Sequence, residues 1–484
     1  MAKMPMPPGP RPWPIVGNMF SISPNEPWVT YMQWGKIYGD LVHCRVLTRD
    51  IIILNSERLT KALLERRSYN YSDRPQHISN HLFGWGFNSL FLAYGDEWRL
   101  HRRLFHQAFR AEASLTYRPM QLSKVHQMLL NLFETPEDYS EHMQTCSTAI
   151  IMAATYGYDP SPRHDPLVTI VERSVDMIVK ALRPEVASIL DALPFLRHLP
   201  SWFPGAGFQR DAIECRKVTA EMVELPFKYT KSSLTAGTAA PSMVSDILSR
   251  EKEDDSHELA LKHASATAYG AASESSASTF QVFVLAMFEH PEIQRKAQEE
   301  IDLVVGRDRL PDFSDRPSLP YVEALVRETL RWFPVVPLGL PHATTESDIF
   351  EGYYIPKGAL VIANIWAITH NEDKYPNPSE FRPERFFLPD GKLNDDTMGV
   401  IFGFGRRNCV GRYVADASIW AGIVSMLAVF SIRKAKDELG RDIEVEPEWS
   451  TGLAIRPRPF KCCIEPRYPE LDSERLTQMI QTFC

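Results

Sequence analysis

One glycine-rich segment of the 484-residue chain holds a cysteine where it could do chemistry. Residues 402–411 read FGFGRRNCVG, so Gly405 and Gly411 stand on either side of Cys409, just before a predicted helix. The segment matches neither of the common phosphate-binding patterns, GxGxxG and GxxxxGK[ST]. It is either a turn with an incidental thiol or a loop whose thiolate is stabilised by backbone N–H groups and by the next helix N-terminus. In the second case, the thiolate suits the axial position of heme iron.

Three other sets of residues share one face of a helix, because their members are three or four positions apart. An acid and a base at this spacing often form an ordinary surface pair. A carboxylate beside a hydroxyl can relay protons, although helical serines also bond back to the carbonyl four residues earlier. The sets are Trp98 with Arg102, Glu328 with Arg331, and Ala271 with Glu274 and Ser275.

The elements that position these residues are predicted to be mostly helical. Runs rich in branched residues predict short strands at 41–47 and 51–55. Helical patterns dominate from about 96 to 330 and return at 412–430, while the polar stretch 232–242 predicts a loop. Short strand-like pieces separated by prolines follow at 333–390. The layout is therefore rich in helix with little sheet.

Residues 251–290 predict one long helix, about 50 Å in length. Asp255 and Glu258 have capping-box spacing at its start, and Pro291 stops it. Its middle is almost free of charge, so we expect it to be the central pillar of a single core. The seven hydroxyls and one carboxylate between Ala264 and Phe288 favour burial in protein over contact with lipid.

The composition excludes several classes of protein. The 53 Lys and Arg residues against 61 Asp and Glu give a formal net charge of −8, without the basic excess of a general nucleic-acid binder. Seven cysteines occur without a CxxC pair, which disfavours a disulfide framework and a zinc ribbon. The 44% hydrophobic residues allow a large core and exclude wholesale disorder.

The cysteine segment resembles the heme-binding loop of the cytochrome P450 superfamily, FxxGxRxCxG, with every fixed position filled. Two further patterns of that family precede it in the expected order. ETLR at 328–331 fits the ExxR helix, and FRPERF at 381–386 resembles the PERF box. The resemblance implies that Cys409 is the iron ligand. It also implies that Arg385 joins Glu328 and Arg331 in a buried structural network, which is costly to break.

The same resemblance implies a set of contacts to heme b. Trp98 and Arg102 match a W-x-x-x-R pattern that places an indole N–H and a guanidinium on a heme propionate, a group that needs such partners when buried. Arg407 and His342 match further propionate contacts. The remaining loop residues implied to surround the cofactor are Phe402, Gly405 and Gly411.

Residues 269–276, YGAASESS, resemble the oxygen-activating segment [AG]Gx[DE]T[TS] of the family. The resemblance implies that Glu274 and Ser275, with Ala271 on the same face, deliver protons for oxygen activation. The sequence departs from the family at two positions, because Ala272 replaces a common glycine and Ser275 replaces a common threonine. Serine keeps the hydroxyl, whereas alanine removes a glycine where the helix widens.

The resemblance covers nearly the whole chain and implies a mainly α fold with minor β. The implied fold has a single core, and its long central helix crosses over the heme. Residues 1–20 would be a proline-rich hinge and residues 21–484 the catalytic domain, β-rich in its N-terminal part and α-rich in the remainder. Membrane-bound members begin with an apolar anchor before such a hinge. This chain has the hinge without the anchor, so we expect a shortened chain or natural loss of the anchor.

The implied activity is that of a heme-thiolate monooxygenase, which inserts one atom of O2 into a C–H bond. Electrons are expected from NADPH through a separate flavoprotein reductase, because the chain has no Rossmann fingerprint or flavin motif. The sequence looks like fungal members of secondary metabolism, whose substrates include terpenoids and aromatic polyketides. An apolar pocket suits a hydrophobic substrate. The implied lining is Phe83, Trp85, Phe87, Leu90, Val335, Val336, Leu338, Leu453 and Ala454.

We expect a monomer on the cytoplasmic face of the endoplasmic reticulum membrane, without nucleic acid as a partner. The loop at 193–208, which contains Trp202, would either dip into the membrane surface or be buried. Basic residues at 99–106 would either dock an acidic electron donor or form a solvated helix face. Two other functions remain open. One is a heme-thiolate isomerase or dehydratase that uses no external electrons, and the other is a non-catalytic lipophile-binding protein.

Overall fold

Helices build most of the body in the computed structural model, which describes residues 4–161, 164–182, 184–250, 255–451 and 454–481. The mainly α fold with small sheets agrees with the sequence prediction. The helices are α1 Pro27–Tyr38, α2 Glu57–Thr60, α3 Ser68–Tyr71, α4 Ile78–Leu82, α5 Asp96–Phe109, α6 Ala111–Ser114, α7 Arg118–Glu134, α8 Tyr139–Tyr156, α9 Pro166–Ala181, α10 Pro184–Ala192, α11 Gly207–Thr235, α12 Met243–Arg250, α13 Asp255–Glu289, α14 Pro291–Val304, α15 Pro320–Trp332, α16 Ile365–Thr369, α17 Arg412–Val429 and α18 Ser473–Gln481.

A four-stranded sheet lies beside the helical body and orders its strands β1-β2-β6-β3. β1 and β2 are antiparallel, β2 and β6 are parallel, and β3 closes the sheet antiparallel to β6. Branched residues of β2 such as Ile52 and Ile53 are fully buried, which explains why this segment is a central strand. Two-stranded sheets form from β4 with β5 and from β7 with β8. The strands are β1 Leu41–Val46, β2 Arg49–Leu54, β3 His342–Ala343, β4 Asp348–Phe350, β5 Tyr353–Ile355, β6 Leu360–Ala363, β7 Phe430–Lys434 and β8 Cys462–Pro466.

Helix α13 is the central element of the main core. It packs against α5, α8, α11 and α17, and its side chains from Ser276 to Phe288 are all buried. A helix that is apolar around its whole circumference has to be enclosed by other elements. The long central helix predicted from the sequence is therefore confirmed over its described residues, and Pro291 begins the next helix as well as ending this one.

The prediction of a loop at 232–242 is wrong for residues 232–235, which are helical. Helix α11 continues to Thr235, and the chain leaves the helix only near Gly237, whose φ is +70°. The Lys231 ammonium pairs with the Glu258 carboxylate of α13 at 2.8 Å, which ties this last part of α11 to a neighbouring helix. Tertiary contact therefore outweighs the weak helix propensity of the serines that follow.

Among the described residues, only α17 is long and apolar enough to cross a membrane by length and composition. About 72% of that helix is buried inside the protein. Trp420 is fully buried there. Its apolar character is therefore explained by its place in the core.

Candidate functional site

The cysteine loop before α17 depends on glycine at two positions. Gly403 has φ +79° and Gly405 has φ +59°, a region that other residues rarely adopt. A Cβ atom on Gly405 would also lie 2.0 Å from the carbonyl oxygen of Leu64, so the loop packs directly on the backbone of the 61–66 turn. The Cys409 N–H donates to the Phe402 carbonyl at 2.8 Å and closes the loop around the cysteine.

The Cys409 thiol is accessible to solvent, yet protein surrounds it densely enough to change its acidity. Burial raises the pKa of Cys409, while the Gly411 N–H and the cations Arg102 and Arg412 lower it without cancelling that effect. The Gly411 N–H therefore acts in the predicted direction and favours the thiolate, while burial opposes it and favours the neutral thiol. A bound metal ion deprotonates a coordinating thiol outright.

Two guanidinium groups and an indole meet beside this loop. Arg102 donates to the carbonyl and side-chain oxygens of Asn408, the residue before the cysteine, at 2.7 and 2.9 Å. The guanidinium carbons of Arg407 and Arg102 lie 4.3 and 5.8 Å from the centre of the Trp98 ring. The three residues predicted to contact a propionate therefore converge at one place.

The chemistry of these cations fits an acidic cofactor. Burial lowers the pKa of Arg102 and lowers that of Arg407 to about 8, so the fold encloses two cations at high electrostatic cost. No ion pair to either arginine occurs in the part of the chain that the structure describes. Arg407 gives one N–H each to the carbonyls of Ser72, Ser89 and Leu92, which leaves one N–H on each terminal nitrogen for another acceptor. Heme propionates would provide the missing anions.

Another arginine, Arg74, is buried close to Arg407 and was missed from the sequence. It donates to the carbonyls of Leu340 and Pro341, both at 2.7 Å, and its charge contributes to holding the pKa of His342 well below the ordinary value, mainly because His342 is buried. The His342 Nδ1 atom lies 2.7 Å from the Tyr71 carbonyl, and the neighbouring Ser72 carbonyl accepts from Arg407. Arg74 belongs to the segment SDRP at 72–75, which matches none of the patterns considered in the sequence.

The acid of the ExxR pattern lies at the centre of a buried network. Glu328 is fully buried and accepts from Arg331 Nε at 2.7 Å and from Arg385 Nε at 3.0 Å. The backbone N–H of Arg382 donates to the same carboxylate at 2.7 Å. Helix α15 is thereby joined to the segment that leads to the cysteine loop, so the network holds the frame of the site.

The residues predicted to deliver protons lie on α13, where it packs against helix α8. Glu274 and Ser275 are half-buried, and the Ser275 hydroxyl lies 3.4 Å from the Ala271 carbonyl. On α8, Ser147 and Gln144 donate to the carbonyls of Ala272 and Ser273, each at 3.1 Å. These two contacts, which the sequence did not reveal, fix the stretch of backbone that presents Glu274.

A second carboxylate lies near Glu274, on helix α9. Burial raises the pKa of Glu172, and the negative charges of Glu274 and Glu141 raise it further. The proximity of these acids gives Glu274 a neighbouring carboxyl group that binds a proton more readily than an exposed glutamate does.

The residues predicted to line the substrate pocket fall into two groups. The aromatic ones pack against α13: a Cβ on Gly270 would contact Trp85 at 3.5 Å, and the ring of Phe87 lies 5.0 Å from that of His263. Leu338 instead packs against the smaller apolar cluster of the sheet. The remaining members are placed as follows: Phe83 is buried, Leu90, Val335, Val336 and Ala454 are half-buried, the Ile455 N–H donates to Val335, and Leu453 lies outside the described residues.

Comparison with known proteins agrees with this arrangement. The profile of the family described as "Cytochrome P450" matches residues 7–464. The chain belongs to the cytochrome P450 family. Cytochrome P450 monooxygenase 98 of Postia placenta is 40% identical over 96% of this chain and 91% of its own length. Cytochrome P450 monooxygenase claR of Ampulloclitocybe clavipes is 37% identical over 98% of this chain and 88% of its own.

Family membership establishes the class of enzyme. The protein is a P450 monooxygenase, an oxidoreductase that uses heme with a thiolate ligand and O2. The roles of individual side chains toward the heme remain predictions, which the geometry above makes specific.

Proposed function

We propose that this P450 oxidises a C–H bond of a hydrophobic fungal secondary metabolite, such as a terpenoid or an aromatic polyketide. The observation that carries the proposal is the meeting of Cys409 with the uncompensated cations Arg102 and Arg407. The aromatic side chains of Trp85 and Phe87, which pack against α13, support the apolar character of the substrate.

The heme, when bound, supplies activation of O2 at an iron whose electron density is raised by a thiolate. Cys409 would provide that thiolate. Arg102, Arg407, Trp98 and His342 would hold the propionates, and the tight loop around Gly405 would hold the cysteine in position.

The chain's own contribution to oxygen activation is the movement of protons. Glu274 would hold a proton at its carboxyl oxygens and pass it to the Ser275 hydroxyl, which faces the same side of α13. Ser147 and Gln144 would keep this part of the helix in place, because they bond to the carbonyls directly before Glu274.

Electrons would come from NADPH through a separate flavoprotein reductase. Helix α5, whose Arg102 contacts the cysteine loop, carries the exposed basic residues Arg103 and His106, and Arg406 is exposed in the loop itself. Such a surface steers an acidic partner toward the site.

An apolar end of the molecule would rest on the cytoplasmic face of the endoplasmic reticulum membrane. The exposed side chains of Ile15 and Trp202 belong to segments that meet at the β1–β2 hairpin. Gly17 bridges to Val46 at the end of β1, and Asp191, just before the 193–208 loop, pairs with Arg49 at the start of β2. Aromatic residues are favoured at membrane interfaces.

The deciding experiment is the carbon monoxide difference spectrum of the reduced protein, compared between the parent chain and Cys409→Ser. We expect a strongly red-shifted Soret band that the substitution abolishes. A band typical of histidine-ligated heme in the parent, or an unchanged band in Cys409→Ser, would overturn the role of Cys409.

The substrate and the electron source are tested with the same holoenzyme. Terpenoids and aromatic polyketides are added singly, and the heme absorption shift and oxidised product are measured with NADPH and reductase. Product that requires both supports the proposal. Product without external electrons would instead establish the isomerase or dehydratase activity, and the altered residue Ala272 is the reason to include this arm.

A further inference from the structure

Two histidines and a glutamate meet where helix α5 passes α13, outside the residues that the reaction uses. Glu97 and His101 are one turn apart on α5, and His263 lies near the start of α13. One ligand atom from each of the three side chains lies within 4.8 Å of the other two.

The His101 imidazole is the buried member of this cluster. Its side chain is 0% exposed, and no partner for its Nε2 atom lies among the described residues. Leaving a buried polar atom without a partner has a free-energy cost. A ligand bound to Nε2 would remove this cost.

Ser89 and Thr267 form a chain of hydrogen bonds that ends at His101. Thr267 donates its hydroxyl hydrogen to the His263 carbonyl at 2.9 Å, so its oxygen is an acceptor for the Ser89 hydroxyl at 3.4 Å. The Ser89 oxygen also lies 2.7 Å from His101 Nδ1, and when Ser89 donates to Thr267 it accepts from that nitrogen. In this arrangement the proton is on Nδ1, and Nε2 presents a lone pair to the cluster.

We propose that Glu97, His101 and His263 bind one divalent cation of the zinc type. Two imidazole nitrogens and one carboxylate are a ligand set that Zn²⁺ accepts with water in the fourth position, whereas Ca²⁺ and Mg²⁺ prefer oxygen ligands throughout. Zinc bonds of about 2.0–2.1 Å place tetrahedral donors about 3.3 Å apart. The ligand atoms already lie within 4.8 Å of one another, and the exposed Glu97 side chain can adjust its position on binding.

The state of the two histidines suits this role. Burial lowers the pKa of His101 to about 4, and burial together with the charge of Lys262 lowers the pKa of His263. Neutral imidazoles bind a metal without first losing a proton.

The position of the cluster connects it to the predicted substrate pocket. His263 lies against the ring of Phe87, and Ser89 belongs to the same loop. A bound cation would tie this loop to α5 and α13. We therefore expect zinc to raise the thermal unfolding temperature of the holoenzyme.

The test is a calorimetric titration of the holoenzyme with Zn²⁺, followed by zinc K-edge X-ray absorption of the complex. We expect one tight site per chain, with a nitrogen and oxygen shell at about 2.0 Å and no sulfur at about 2.3 Å. His263→Ala and Glu97→Gln should abolish tight binding. Ser89→Ala should weaken it by about 10–100-fold, because Ser89 only orients a ligand.

The matched control is His106→Ala, which removes an exposed histidine of the same helix and should leave the affinity unchanged. Circular dichroism confirms that each variant is folded. A sulfur shell would assign zinc to the cysteines and overturn the proposal. Unchanged affinity in both His263→Ala and Glu97→Gln, or absence of tight binding to the parent, would overturn it as well.

Discussion

Glu328 is the single residue on which the frame around the cysteine loop most visibly depends. Its fully buried carboxylate accepts from Arg331, Arg385 and a backbone N–H. Replacing it by glutamine leaves two buried cations without a counter-charge, and such a loss costs about 3–5 kcal/mol. We expect Glu328→Gln to lower the free energy of unfolding in urea by this amount.

The control is Glu299→Gln, which breaks an exposed pair with Arg295 whose side chains are 66% and 62% accessible. Pairs of this kind contribute at most about 1 kcal/mol. Equal effects of Glu299→Gln and Glu328→Gln would show that the buried network does not stabilise the fold.

His370 makes stability depend on pH. Its ring stacks on Trp366 with centroids 3.8 Å apart, and burial, with a contribution from the charge of Arg331, lowers its pKa to about 3. Below pH 6.5 His370 binds a proton in the unfolded chain but stays neutral in the native protein until the pH is much lower. The free energy of unfolding therefore falls as the pH falls. Between pH 6.5 and 4.5 this loss amounts to roughly 2 kcal/mol, since one pKa unit equals about 1.4 kcal/mol.

The measurement is the free energy of unfolding against pH for the parent and for His370→Phe, which keeps an aromatic ring on Trp366. In this pH range, the free energy of unfolding of the variant should depend less steeply on pH than that of the parent. The difference corresponds to about one bound proton, whatever the stability of the variant at pH 7.5. Parallel curves would show that His370 binds its proton equally in both states.

At the scale of elements, the contact between α13 and α17 requires a glycine. A Cβ on Gly422 would lie 2.4 Å from the ring of the fully buried Phe280. Gly422→Ala should therefore destabilise the protein by about 1–3 kcal/mol, although alanine is the better helix former.

Gly270→Ala is the matched change on α13, because its Cβ would meet Trp85 at an ordinary contact distance of 3.5 Å. We expect this variant to be neutral or to gain up to about 1 kcal/mol. Both are measured by urea unfolding, and stabilisation by Gly422→Ala would disprove the close packing of the two helices.

Local sequence patterns predict the long helices. They fail where contacts between residues far apart in the sequence determine the structure. The uncharged middle of α13 and the apolar run of α17 are visible in the sequence, because a buried helix needs both. The end of α11 was misjudged, since the pairing of Lys231 with Glu258 is tertiary. Arg74 could not be found by spacing either, because its acceptors are carbonyls more than 260 positions away.

The same limit applies to the candidate site. The motif around Cys409 predicts which side chains gather, and the structure brings Trp98, Arg102 and Arg407 together. The sequence did not reveal that burial raises the pKa of the cysteine, because the amount of surrounding protein depends on the whole fold.

At the scale of the whole molecule, the apolar end next to the β1–β2 hairpin predicts binding to lipid. Phe195 and Trp202 are 62% and 78% exposed, and aromatic side chains are stable at the level of lipid headgroups. We expect the chain to sediment with phosphatidylcholine vesicles and the double variant Phe195→Ser, Trp202→Ser to remain largely in the supernatant.

Leu303→Ser tests whether the loss of any exposed apolar side chain reduces binding to vesicles, because Leu303 on α14 is 87% exposed. This control should sediment like the parent. Equal release by Leu303→Ser and by the double variant would mean that the 193–208 loop does not specify the membrane-facing end.

The central position of α13 also affects how the chain is made in the cell. Helices α5 and α8 precede α13 in the sequence, yet they pack against it in the finished core. The ribosome therefore releases about half of the chain before the partner of these helices exists. Synthesis of the chain between the end of α8 and the end of α13 takes roughly 7 to 27 seconds at ordinary translation rates, so the early helices are expected to rely on chaperones until α13 emerges.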